Sequence, residues 1–322
     1  MKLLGGFRWE LNLFDEDEVD PESELSSRET CSRLDDAGSF FDEPAGRLGD
    51  LTPLQRRELR EAHALIQSVR HAHGGSPSIF ALAESGSCRY ELSMTWESSH
   101  VALVTQKIEA VPLSMLECVA LVREPDLIPL PRWPGLPRIE HIANVHEFAP
   151  NNVVYHVAIE PWGPFPGYDS VCCAVGVVRS DVGGDGTGKA CVGFARSPPE
   201  DEEEHRGWRV LPRLPRRVRM HVDGFAWVVA PSSAVEGHID ITTFMKTNIA
   251  VPHWLIPPSL VRWVTPKVFR GLLSLLTEQN KAPFRARVAA DERGFYSALK
   301  RQLGQTLCRY HTPDGLKMTA CR

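Results

Sequence analysis

The most constraining feature of this chain is an apolar stretch between Pro257 and Gln279. Its hydrophobic residues recur every three or four positions, the spacing of one face of an α-helix. The stripe is wide, so a large apolar surface has to cover it. Pro266 is predicted to kink or split this helix and Pro283 to end it. The stripe consists of Leu260, Val261, Val264, Val268, Leu272 and Leu275, widened by Trp263, Phe269, Leu273 and Leu276.

Strand patterns fill the middle of the chain. Residues 88–96 alternate imperfectly between apolar and polar side chains, and residues 100–111 are rich in β-branched residues, so both favour β-strands. The polar triplet 97–99 separates them, and strands joined by tight turns indicate an antiparallel sheet. Residues 79–83 are predicted as a short helical turn. Further strands are predicted at 138–148, 152–162, 170–179, 190–196, 217–230 and 237–249.

Helices precede and interrupt these strands. Thr52 is suited to cap a helix and Pro53 to open its first turn, and apolar residues then recur at helical spacing as far as Gly74. A shorter pair of helices is predicted at 112–122 and 125–130. An antiparallel sheet followed by a wide apolar helix predicts an α+β fold, a cup that the last helix covers as a lid.

Length and charge bound the architecture. A chain of 322 residues is long enough for one large domain with tails. Between residues 10 and 43 acids greatly outnumber bases, so 1–50 is predicted to be a disordered acidic tail. The rest is predicted to divide into a domain at 51–282 and a C-terminal amphipathic helix and tail at 283–322. A net charge of -5 gives no reason to expect a nucleic-acid partner.

No catalytic or metal-binding pattern stands out. The eight cysteines are scattered without a CxxC pair, which favours free thiols in a reducing compartment over disulfides or zinc. The sequence has neither a GxSxG nor an HExxH motif. Residues 183–190 resemble a phosphate-binding loop, but Ala190 replaces its final hydroxyl residue. We therefore predict no enzyme, no metal and no cofactor, and the lack of a long apolar run predicts a cytoplasmic protein.

Four local phrases, in the order of the predicted elements, resemble the START (StAR-related lipid transfer) family. Residues 124–133 resemble its acidic, aspartate-leucine, tryptophan stretch, and residues 160–169 resemble its proline-rich turn before a central strand. Residues 218–231 resemble its valine-arginine strand running to a proline. Residues 251–255 resemble the proline-x-tryptophan-leucine start of its last helix. The resemblance covers about seven tenths of the chain.

The resemblance implies the helix-grip fold, in which a curved antiparallel sheet and a long C-terminal helix enclose one lipid or sterol in a hydrophobic tunnel. The last helix is then the lid, and 180–190 is a loop at the mouth of the cavity. The helical periodicity alone fits ordinary core residues that pack on the sheet at least as well. The ligand-binding residues predicted for the cavity and the lid are Trp254, Leu260, Val261, Val264, Val268 and Leu272.

Polar residues that would hold a lipid head group are harder to choose. Arg219 and Asp240 lie on neighbouring predicted strands. If their side chains face the cavity, we predict that they form a buried pair, because an unpaired buried charge is costly. The alternative places both side chains on the solvent face of the sheet, because apolar residues flank each of them.

The predicted function is lipid binding and transfer between membranes, with transient contact at a membrane surface. The alternatives are a helix-grip enzyme of the cyclase type and a regulatory binder that senses a hydrophobic ligand. Phe40 and Phe41 lie in an acidic tract like the peptide that endoplasmic-reticulum VAP receptors bind, so such a receptor is a second predicted partner. Residues 284–303 are amphipathic and basic, and either lie on a membrane surface or pack back on the domain.

Overall fold

The computed structural model describes residues 52–74, 77–128, 138–161, 166–182, 188–249 and 252–304, except the side chains of 179–182, 188 and 278. The predicted acidic tail therefore lies outside the described residues. The strands in these ranges are β1 Ile79–Ser85, β2 Cys88–Trp96, β3 Val101–Val111, β4 Ile139–Ala149, β5 Asn152–Ile159, β6 Gly167–Val182, β7 Gly188–Arg196, β8 Glu204–His205, β9 Trp208–Arg209, β10 Arg217–Arg219, β11 His221–Pro231 and β12 Ile239–Asn248.

Ten of these strands form one sheet in the order β1-β2-β3-β12-β11-β7-β6-β5-β4, with β10 beside β6. All neighbours on that path are antiparallel, while β10 runs parallel to β6. The short strands β8 and β9 form a separate hairpin. Pairing of β3 with β12 joins the first hairpin to the later strands, so the described strands of the sheet are continuous from one edge to the other.

The described helices lie on both sides of this sheet. Thr52 caps the first of them: its hydroxyl accepts from the Gln55 amide at 3.2 Å, and its own amide donates to the Gln55 side chain at 2.9 Å. None of the described helices is long and apolar enough to cross a membrane. The helices are α1 Pro53–His73, α2 Met115–Arg123, α3 Pro258–Leu275, α4 Glu278–Ala290 and α5 Phe295–Leu303.

Alternation along the strands assigns the core to two faces. On the outer face, Leu65 and Ile66 of α1 pack on Phe194, Ala226 and Phe244. The opposite face, called here the inner face, is covered by α2, α3, α4 and α5. Its members under α2, α4 and α5 include Val111, Cys191, Trp227, Val229 and Ile239. Helices that grip one face of an antiparallel sheet confirm the predicted α+β, helix-grip class.

The structure differs from the sequence prediction at three places. Residues 79–83 are strand, not a helical turn, because Ile79 and Ala81 face inward and β1 pairs along its whole length with β2. Helix α3 is not split at Pro266, since Thr265 and Phe269 on either side are buried and hold it in place, and it ends at Leu275 rather than at Pro283. Pro283 lies inside α4, so the predicted boundary between 282 and 283 falls within a helix.

Candidate functional site

A cavity of about 480 Å³ lies on the inner face of the sheet. This volume is within the range of roughly 300–1,000 Å³ found for small-molecule sites. Its floor is formed by the adjacent strands β5, β6, β7 and β11, and its sides by α2 and α5. The apolar members of its lining include Val119, Val153, Ala174, Trp227, Val229, Phe295 and Leu299.

Two glycines explain why there is room here. A Cβ added at Gly176, in β6, would meet no atom within 4 Å, so this glycine opens the floor of the cavity. A Cβ at Gly193, in β7, would instead overlap the indole ring of Trp227. The tryptophan therefore lies against the bare backbone of β7. Its ring becomes part of the floor and leaves the cavity above it free.

Arg123, at the end of α2, makes one end of the cavity polar. Its side chain is buried, pairs with Glu147 at 2.9 Å and donates to the carbonyl of Pro150. Its guanidinium carbon stands 4.2 Å from the centre of the Phe295 ring, a cation–π contact with α5. Burial raises the pKa of the nearby Tyr155 above its usual range, although Arg123 opposes the shift. The phenol therefore stays protonated and can donate a hydrogen bond to a ligand.

The last turn of α5 is tied to β7 near another part of the lining. Lys189 donates from its ammonium group to the main-chain carbonyl of Gln302 at 2.6 Å. Both residues line the cavity. This bond positions the end of α5 over the floor strands, so the helix acts as a cover that several separate contacts hold in place.

A network of ion pairs fastens the turn between α4 and α5 to α2 and β4. Glu124 pairs with Arg287 at 2.8 Å and accepts from the Tyr296 hydroxyl at 2.6 Å. Glu147 accepts from Arg123 and, at 2.6 Å, from Arg293. The turn itself is closed by Asp291, in the left-handed region at φ 38°, which accepts from the amides of Tyr296 and Ser297 at 2.8 Å. We call this set of contacts the α5 latch.

Two buried thiols, Cys118 and Cys191, complete the wall between α2 and β7. Burial raises the pKa of each to about 12, so both stay protonated and behave as small apolar groups. In the described ranges, no group of three or more histidine, cysteine, aspartate or glutamate side chains is placed to hold a metal ion. The lining offers apolar contact and a few hydrogen bonds.

The structure places the six predicted apolar site residues elsewhere. Helix α3 covers β1 and β2, where Val261 packs near Ile79 and Phe269 stacks on Tyr90 at 5.5 Å between ring centres. Trp254 lies before α3 and is 70% exposed. Leu260, Val264, Val268 and Leu272 are half-buried on α3. None of the six lines the 480 Å³ cavity.

Arg219 and Asp240 do not form the predicted pair. Arg219 pairs with Asp169 at 3.1 Å, on the outer face, where the fully buried Asp169 also holds His156 at 2.8 Å. Asp240 instead accepts from the amide of Ala110 at 2.9 Å. The physical reason is a break in the predicted strand: at Met220 the chain leaves β10, so alternation does not carry over from β10 to β11.

The residues that line the cavity were missed because they come from distant segments. The amphipathic pattern at 284–303 gave the available signal for α5. Of its two interpretations, packing on the domain is the one observed, since Phe284, Tyr296 and Leu299 are buried against α2 and the inner face. No pattern in the sequence indicates that Gly176 opens a cavity, because its effect depends on which side chains lie opposite.

The fold is α+β of the helix-grip class, with a partly open and mainly apolar cavity on the inner face of the sheet. The crystal structure of human STARD10 is similar to this chain, at 11% identity and a TM-score of 0.42, over 73% of this chain and 81% of that one. Human StAR-related lipid transfer protein 5 matches at 13% identity and a TM-score of 0.41, over 66% and 95%. A fragment of the STAR-related lipid transfer protein from Xanthomonas axonopodis matches at 14% and 0.39, over 64% and 98%.

All three are START-type proteins, the family that the four sequence phrases resemble. No family model matches the sequence. No curated protein matches it either.

Proposed function

We propose that this chain binds one apolar ligand, a lipid or sterol, in the cavity between the inner face and α5, and transfers it between membranes. The observation that carries the proposal is the 480 Å³ space, which is lined mainly by apolar side chains and is polar at Arg123 and Tyr155. Apolar walls orient nothing by themselves, so a ligand hydroxyl or head group at this polar end would set its direction.

The energetics support a ligand of this kind. If the ligand loses about 300 Å² of apolar surface, burial at about 25 cal/mol/Å² contributes roughly 7 kcal/mol before the costs of association. A complex with this binding energy survives purification only if the cavity closes behind the ligand. The α5 latch supplies such a closure, because its contacts lie on the side of α5 that faces α2 and β4.

The first test is native mass spectrometry of the purified chain, followed by extraction and identification of any lipid that travels with it. One lipid or sterol per chain is expected. Gly176→Leu should lose most of this ligand, because the new side chain fills the cavity without meeting other atoms near its Cβ. Gly176→Ala makes the same backbone change with little volume and should keep the ligand. Equal occupancy in all three proteins would exclude this cavity as the site.

Ligand contacts with α3 remain a prediction, as do a cytoplasmic location and contact with a receptor. The VAP-type receptor rests on Phe40 and Phe41, which lie outside the described residues. A pull-down with the receptor domain would decide that point, since recovery should fall for Phe41→Ala if the prediction is correct.

A further inference from the structure

Apolar side chains are exposed together at one edge of the sheet, around β1 and the start of α3. Phe80 is 38% exposed, Leu82 42%, Trp263 45% and Trp254 70%. Along β1, Phe80 and Leu82 alternate with the inward-facing Ile79 and Ala81, so they point away from the inner face. We call Phe80, Leu82, Trp254 and Trp263 the tryptophan edge.

Local contacts hold these residues at the same edge. Arg262 donates from Nε to the carbonyl of Phe80 at 3.4 Å, which fixes the first turns of α3 against β1. The short 3-10 turn His253–Leu255 is anchored where the amide of His253 donates to Ser99 at 2.8 Å, in the turn between β2 and β3. Trp254 follows directly and is left projecting. The exposure is therefore built into ordered elements.

The charge on α3, beside the tryptophan edge, is of one sign. Residues 241–277 contain no aspartate or glutamate, although the whole chain has a net charge of -5. Three cations lie on α3: Arg262, Lys267 and Arg270. Trp263, Lys267 and Arg270 are spaced four and three residues apart and so share one stripe of the helix. The Lys267 ammonium stands 3.3 Å from the centre of the Trp263 ring.

The described residues provide no carboxylate partner for these three cations within ion-pair distance. Tryptophan favours the boundary between water and acyl chains, because its ring is apolar and its N–H is polar. Each lysine or arginine close to an anionic bilayer contributes about 1 kcal/mol of attraction. The surface formed by α3 and these exposed apolar residues is aromatic and basic, and the exposed acids Glu84 and Glu97 near it are ion-paired with Arg89 and Lys246. It thus complements anionic phospholipid.

We propose that the tryptophan edge and the cations of α3 form the surface by which this chain docks on an anionic phospholipid bilayer. The inference rests on the proposed function in that it names the membrane partner of lipid transfer. It concerns a different part of the molecule, because the cavity lies over β5, β6, β7 and β11, whereas the docking surface lies at β1.

The test is co-sedimentation of the full chain with vesicles of phosphatidylcholine alone or of phosphatidylcholine mixed with phosphatidylserine. Wild type should bind the mixed vesicles, and the binding should weaken as salt is added. Lys267→Glu with Arg270→Glu should weaken the binding about thirtyfold or more, since the attraction of two cations is lost and repulsion is added. Trp254→Ser should weaken it as well.

The matched control is Arg209→Glu with Arg213→Glu, which makes the same change of charge at exposed residues on and after β9. The control should bind the mixed vesicles as wild type does. Equal binding by wild type and the α3 variant, equal loss in the control, or no binding of wild type to the mixed vesicles would each overturn the proposal. Ligand content by mass spectrometry reads out the cavity separately, so failure of docking and failure of the proposed function are distinguishable.

Discussion

Two glycines on the inner face have opposite surroundings, and this difference makes them a matched pair for mutation. Gly193 lies under the Trp227 indole, so Gly193→Ala forces the ring or the strand to move. We expect it to lower the free energy of unfolding by about 1–3 kcal/mol, the usual cost of overpacking. Gly176→Ala meets open space and should cost less than about 0.5 kcal/mol.

Urea denaturation of both variants measures this difference. A displaced Trp227 ring also enters the cavity, so Gly193→Ala should carry less ligand than Gly176→Ala. If the two alanine variants unfold at the same urea concentration, then Trp227 does not lie against β7 as the structure places it.

At the scale of elements, Glu147 is the central residue of the α5 latch, because it accepts hydrogen bonds from both Arg123 and Arg293. Glu147→Gln removes the charge that two arginines share, one of them buried. We expect a loss of about 1–3 kcal/mol of stability and faster release of ligand, because α5 is less firmly held. Thermal unfolding and the rate of ligand exchange into acceptor vesicles measure the two effects.

Arg293→Ala is the control for the latch. Its side chain is 71% exposed, so its ion pair with Glu147 should contribute less than about 1 kcal/mol. The buried Arg123 keeps its own contact with Glu147 in that variant. Loss of stability equal to that of Glu147→Gln would mean that the exposed pair, rather than the buried one, holds α5.

Most elements could be predicted because their signals are local. The alternation of Cys88–Trp96, the β-branched residues of β3 and the cap at Thr52 each depend on neighbours in sequence. Strand β1 could not be predicted, because its short apolar run fits either a helix or a strand. Its pairing with β2 decides between the two. The partners of Arg219 depend on a break after three residues of β10, which no periodicity shows.

From the sequence, an apolar cavity could be expected, but its location in the fold could not. An apolar site under a C-terminal helix follows from the wide stripe of α3 and from the resemblance to START proteins. Which helix lines it depends on how α4 and α5 turn back over α2, and that turn is set by Asp291 and by ion pairs with Glu124 and Glu147. Contacts between residues more than a hundred positions apart leave no local pattern.

At the scale of the whole molecule, a bound ligand should increase the free energy of unfolding. At a ligand concentration one hundred times its Kd, binding adds about 2.7 kcal/mol to the free energy of unfolding. For a domain of this size, that corresponds to a rise in Tm of roughly 5–10 °C. Differential scanning fluorimetry before and after removal of the ligand on a hydrophobic resin measures the change. Gly176→Leu is the control and should show the same Tm in both samples.

The walls of the cavity come from separate stretches of the chain: α2, β5 to β7, β11 and finally α5. During synthesis, the floor is available to fold once β11 and β12 have left the ribosome, but the cover is made last. The proposed ligand would therefore be enclosed only after Leu299 and Gln302 have been added and have reached β7. A chain truncated before residue 295 would leave the apolar floor of the cavity exposed to solvent.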